Sequence, residues 1–114
     1  MKLGFVGTGN ISSDVITAIC KSKIPFKKIT ISPRNKNKAK YLKKKFRSKI
    51  VIAKNNQEVV NNSDWVFLGI LPEIGEKILP NLKFKPNQTV ISFISTINYN
   101  KLKKIIHNKT NIIR

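Results

Sequence analysis

The sequence predicts an α/β fold, a single three-layer αβα domain built on a doubly wound, mainly parallel sheet. Three observations carry this. Short apolar runs alternate with helical patterns along the whole chain, as strands and their crossover helices do. The run from Trp65 to Leu71 is apolar almost without interruption, the pattern of a strand covered on both faces. A glycine-rich turn closes the first candidate strand and opens the first candidate helix. The 114 residues suffice for one domain, spanning 1–114, and are few for a complete two-substrate enzyme.

The elements follow in order. Lys2 to Val6 reads as the first strand. After Gly7-Thr8-Gly9-Asn10, the residues Ile11, Val15, Ala18 and Ile19 recur at helical spacing, and Pro25 follows the end of that helix. The β-branched run Lys28 to Ser32 predicts the second strand, which Pro33 stops. Lys36 to Phe46 places Ala39, Leu42 and Phe46 on one face of a helix whose other face is lysine-rich and carries Tyr41. Ile50 to Ala53 is a short third strand and Gln57 to Asn62 a short helix. The fourth strand, Trp65 to Leu71, ends at Pro72, and Glu73 to Leu79 is helical. Thr89 to Ile94 is the fifth strand, Tyr99 to Ile106 a helix, and Asn111 to Arg114 a further strand. There is no internal repeat and no low-complexity linker.

Composition bounds the functional classes. No apolar stretch approaches the roughly 20 residues of a membrane span, and the N-terminus is too short an apolar run for a secretory signal, so no membrane association and a cytoplasmic location are expected. The single cysteine, Cys20, has no internal partner and falls on a helix core face. The net charge of +18 favours anionic ligands. Because the excess is mostly lysine in a chain also rich in isoleucine and asparagine, it reads first as a compositional bias. Without a nucleic-acid-binding motif, nucleic acid is not the expected partner.

The glycine turn carries the chemistry. Gly7-x-Gly9-x-x-Ser12 lies between strand and helix, the context of a Rossmann-type dinucleotide fingerprint. Gly7 permits the tight turn, Gly9 keeps side-chain bulk away from a pyrophosphate, and Ser12 lets helix and strand approach closely. The amides near Asn10 and Ile11, at the helix N-terminus, would face the phosphates, with Thr8 between the glycines. A purely structural turn would need Gly7 alone.

The end of the second strand addresses which dinucleotide. An NAD site places an acid there for the ribose hydroxyls, whereas an NADP site offers cations to the 2′-phosphate. The sequence is Ser32-Pro33-Arg34-Asn35-Lys36, with no acid. A hydroxyl at Ser32 and a guanidinium at Arg34 can make charge-assisted hydrogen bonds to a phosphate, so NADP(H) is expected, with NAD(H) as the alternative.

These motifs, together with Gly4-Phe5-Val6-Gly7-Thr8-Gly9-Asn10, Asn56-Gln57-Glu58-Val59-Val60, Asp64 to Pro72, and Val90-Ile91-Ser92, resemble in order the N-terminal domain of pyrroline-5-carboxylate reductase. The resemblance implies hydride transfer from NAD(P)H to the C=N carbon of the cyclic imino acid 1-pyrroline-5-carboxylate, giving proline. It also implies that Asn35 and Asn56 contact the cofactor, Asn56 on its adenosine portion, and that the Leu71-Pro72 turn lines the nicotinamide side. The sequence departs from that family at Leu71, where lysine is usual, and at Ser95-Thr96-Ile97, where a small Ala-Ala-Gly-like turn is usual. The family's helical dimerisation and substrate domain is expected beyond Arg114. The full-length form would then be a homo-oligomer and these residues alone an inactive monomer, with catalytic residues unassigned.

Two alternatives share the fingerprint: a deazaflavin-dependent NADP reductase-like domain and a non-catalytic dinucleotide-binding or regulatory domain. No metal-ligand spacing and no nucleophile–base arrangement is present, so no metal site is expected. His107 reads as a surface residue beside a helix end, Asp64 as a turn residue and Trp65 as sheet packing.

Overall fold

In the computed structural model, which describes residues 1–106 and 110–113, six parallel strands form one sheet. They are β1 (Lys2–Val6), β2 (Lys28–Ile31), β3 (Ile50–Ile52), β4 (Trp65–Leu68), β5 (Thr89–Ser92) and β6 (Asn111–Ile113). The helices are α1 (Asn10–Lys21), α2 (Lys36–Lys45), α3 (Asn56–Asn61), α4 (Pro72–Ile78), which runs into a 3-10 turn at Leu79–Asn81, and α5 (Tyr99–Ile105). The spatial order is β3-β2-β1-β4-β5-β6. The chain first winds outward from β1 to β3, then crosses back and winds the other way from β4, which makes the fold doubly wound.

Parallel strands are joined by helices that lie on the sheet, so both faces must be apolar. Alternation along the strands divides the core accordingly. Leu3, Phe5, Ile29, Ile31 and Phe67 face α1 and α2, where they meet Ile16, Cys20, Ala39 and Leu42. Val6, Val66, Leu68 and Val90 point the opposite way, toward Val59, Val60, Ile97 and Leu102 of the second helical layer. Phe5 and Phe67 stack across the β1–β4 pair with ring centroids 4.4 Å apart. Val66, Phe67 and Leu68 are all buried, as a strand covered on both faces requires.

The structure corrects three local expectations. The buried face of α1 is Ser12, Ile16 and Cys20, with Val15 and Ile19 half-buried beside it, while Ile11 and Ala18 point to solvent. The cause lies at Ser12: a Cβ on Gly69 would stand 2.0 Å from its Oγ. A small side chain of the first turn is thus the one against the sheet, with Ile11 turned outward. Strand β4 stops at Leu68 rather than Leu71, and β5 at Ser92 rather than Ile94. Each stops where its neighbour does, because β1 ends at Val6 and offers β4 one last carbonyl, to the Gly69 amide, before the chains diverge.

Cys20 is buried on the core side of α1, as its position in the sequence suggested. Burial raises its thiol pKa, with the nearby Lys49 charge acting in the opposite direction. Among the described residues no helix is long and apolar enough to cross a membrane.

Candidate functional site

The site is assembled where the chain reverses its winding, beside the adjacent carboxyl ends of β1 and β4. A crevice is expected there because the loops leaving these strands turn to opposite faces of the sheet. A cavity of about 710 Å³ occupies this place, lined by the loop after β1, the loop after β2 and the segment after β4.

The two glycines after β1 are set by different constraints. Gly7 has φ +96°, and a Cβ there would lie 2.4 Å from the Gly69 carbonyl oxygen, so the fold itself demands glycine. Gly9 has φ −71°, open to any residue, and a Cβ would meet only that same oxygen, at 4.0 Å. Nothing in the folded chain requires Gly9 to lack a side chain. The space it leaves is part of the cavity.

Gly9 is also the N-cap of α1, a helix with no side-chain cap and no acid in its first turn. The first intrahelical bond runs from the Ser13 amide to the Gly9 carbonyl at 2.9 Å. The amides of Asn10 and Ile11 precede it, in the turn where helix donors have no intrahelical acceptor and where the macrodipole is positive. Thr8, between the glycines, is only 3% exposed, and its hydroxyl has no hydrogen-bond partner. A buried hydroxyl left so costs about 1–3 kcal/mol unless a ligand completes it.

The second wall comes from β2 and α2. Arg34, Asn35, Lys36 and Asn37 line the cavity, which places two cations and no carboxylate on its surface. Asn35 has a structural duty as well, since it caps α2 by accepting from the Lys38 amide at 3.2 Å. Lys38 itself donates to the side-chain oxygen of Asn10 and so ties the start of α2 to the start of α1. Ser32 is buried and donates to the Asn56 side-chain oxygen at 2.7 Å, joining the end of β2 to the first residue of α3. On the third wall, Leu71 is 64% exposed as the N-cap of α4, and Pro72 begins that helix.

Of the residues singled out in the sequence, Gly7, Thr8, Gly9, Arg34, Asn35 and Leu71 therefore meet around one cavity. Asn10, Ile11 and Pro72 adjoin it in the chain without lining it, and Ser32 and Asn56 stand behind Arg34 as a pair. Sequence reasoning missed Lys36, Asn37, Gly69, Ile70 and Ile74. Two signals were available: Lys36 is a second cation in the acid-free turn, and Gly69 interrupts an otherwise apolar run. Asp64 accepts from the Lys2 amide at 2.8 Å, a tie to the start of β1 rather than the local turn bond expected of it. Trp65 is 37% exposed, so it packs only in part. His107 lies outside the described residues.

Comparisons with known proteins bear on this geometry. A family model described as NADP oxidoreductase, coenzyme F420-dependent, matches residues 2–98. Solved structures similar to the chain include the 1-pyrroline-5-carboxylate reductase of Streptococcus pyogenes, at 26% identity and TM-score 0.75, covering 93% of this chain and 38% of that one. The Coxiella burnetii pyrroline-5-carboxylate reductase aligns at 19% identity and TM-score 0.80, over 96% of this chain and 41% of its own. The Plasmodium falciparum pyrroline carboxylate reductase, solved with NADP bound, aligns at 24% identity and TM-score 0.71, over 93% and 38%. The chain thus spans about two fifths of the length of these reductases. Among curated proteins none matches.

Proposed function

The chain belongs to the family of NADP oxidoreductases described as coenzyme F420-dependent, and we propose that its cavity at the β1, β2 and β4 ends holds NADP(H). The observation that carries this reading is Gly9, a position that the fold leaves free and that opens onto the cavity beside an uncapped helix N-terminus. In this reading the diphosphate lies over the amides of Asn10 and Ile11, and the orphaned Thr8 hydroxyl gains a phosphate or ribose oxygen as partner. Arg34, with Lys36 beside it, neutralises the 2′-phosphate. The Ser32 hydroxyl is already committed as a donor to Asn56, so this pair acts by holding the turn that presents Arg34. Ile70, Leu71 and Ile74 form an apolar wall toward the nicotinamide end, with Pro72 fixing the start of α4 behind it.

Bound in this way the cofactor supplies a hydride, and the contribution of these residues is to place and desolvate it. For the acceptor we propose the C=N carbon of 1-pyrroline-5-carboxylate or a related cyclic imino acid, supported by the ordered motifs and by the likeness to the Streptococcus pyogenes enzyme. The family description favours a second reading, in which a deazaflavin is the hydride partner. The two separate by which compound, the imine or the oxidised deazaflavin, oxidises bound NADPH.

The cofactor assignment is tested by titrating the protein with NADPH and NADH and following nucleotide fluorescence. NADPH should bind at least ten-fold more tightly. In Arg34→Asp that preference should collapse, because a carboxylate then faces the 2′-phosphate, while NADH affinity changes little. Equal losses for both nucleotides would show that residue 34 does not read the phosphate.

A further inference from the structure

The positive charge of this chain is not spread evenly. Residues 15–57 contain fourteen of the 23 lysines and arginines and none of the five acids. The other 71 residues share nine cations and all five acids. A proteome-wide taste for lysine would load both parts alike. The acid-free stretch comprises most of α1, then β2, α2 and β3, so it forms one edge of the sheet and the helices over it.

Within that edge, α2 turns Ala39 and Leu42 to the core and presents Lys40, Tyr41 and Lys44 on its opposite face. Tyr41 is 57% exposed, a large ring held out among cations. Lys45 lies 5.5 Å from its ring centroid and donates to its hydroxyl at 3.3 Å, which steadies the ring without covering it. At the C-terminal end of α2 a cleft of about 400 Å³ continues this surface, lined by Lys44, Lys45, Phe46, Arg47, Ser48 and Lys49. The cleft adjoins the start of β3, whereas the dinucleotide cavity adjoins the end of β2. Because the strands are parallel, the two sites lie at opposite ends of the sheet edge.

We propose that the outer face of α2 and this cleft form a binding surface for single-stranded nucleic acid, separate from the dinucleotide cavity. Cations at helical spacing suit a phosphate backbone, and an exposed tyrosine among them is a platform on which a base can stack whatever its identity. The same face lacks the exposed leucine, isoleucine or phenylalanine that an interfacial membrane helix sinks into lipid, which favours a nucleic-acid strand over an anionic bilayer.

The test is fluorescence anisotropy of a labelled oligothymidylate of about 20 nucleotides, long enough for one OB-sized footprint. Binding should weaken with salt at a log–log slope near about −3, from four or five neutralised phosphates. Lys40→Glu/Lys44→Glu should lower the affinity at least ten-fold, and Tyr41→Ala at least five-fold, both with NADPH affinity unchanged. The control Lys77→Glu/Lys103→Glu, on α4 and α5, should stay within about two-fold of wild type. Saturating NADPH should not displace the strand. An equal loss in the control pair, an unaffected Tyr41→Ala, displacement by NADPH, or retention on phosphatidylserine vesicles but not on the oligonucleotide would each overturn the proposal.

Discussion

Gly7 and Gly9 show how two identical residues can be required by different things. At Gly7 the constraint is internal, a positive φ and a carbonyl 2.4 Å from any Cβ. Gly7→Ala should therefore destabilise the protein by about 1–3 kcal/mol from backbone strain, with the clash adding to it, as a shift of the urea midpoint at constant m. At Gly9 no internal constraint exists. Gly9→Ala should change stability by less than about 1 kcal/mol, since alanine restricts the unfolded chain but suits a helix N-cap less well than glycine, yet weaken NADPH at least ten-fold. A Gly9→Ala protein that binds NADPH normally would mean the loop serves the turn alone. At this scale the sequence was informative where composition alone marks a residue, as with Arg34 in an acid-free turn, which the structure brings to the cavity. It placed Thr8 in the glycine turn but not its hydroxyl, because only packing shows that this group is buried and unpartnered.

The elements themselves were readable, because crossover helices and two-sided strands impose distinct apolar periods. The ends and faces were less so. The buried stripe of α1 is set by Ser12 against Gly69, a contact between residues 57 positions apart, and hydrophobic spacing cannot show it. The ends of β4 and β5 are set by where their neighbours stop pairing, again a non-local fact. The Ser32–Asn56 bond belongs here too, since it locks the end of β2 to the start of α3. Asn56→Ala removes the acceptor of the hydroxyl of Ser32, a residue only 1% exposed, and should lower unfolding free energy by about 1–3 kcal/mol. Adding Ser32→Ala should recover part of that loss, because the stranded hydroxyl goes with it. Strictly additive losses would show that the bond does not couple the two elements.

For the molecule as a whole, the order β3-β2-β1-β4-β5-β6 determines where a ligand can sit, and the cavity lies at the switch between β1 and β4. The fold and the place of the cavity were thus legible from the alternation of apolar runs and one glycine turn. The apolar wall of Ile70 and Ile74 was not, since it depends on how α4 leaves the sheet. Net charge acts at this scale as well. A field from +18 should steer the anionic cofactor, so the NADPH association rate should fall at least ten-fold between about 0.01 M and about 1 M ionic strength, as the Debye length shrinks from about 30 to about 3 Å. Dissociation should change far less. A salt-independent association rate in stopped-flow measurements would contradict this.

The central claim is that backbone amides at the start of α1 hold a dinucleotide diphosphate. A crystal structure of the protein with NADPH tests it most directly. Diphosphate oxygens are expected within about 2.7–3.2 Å of the Asn10 or Ile11 amide, with the 2′-phosphate against Arg34. Nucleotide bound away from Gly9, or density for the 2′-phosphate remote from residue 34, would contradict it.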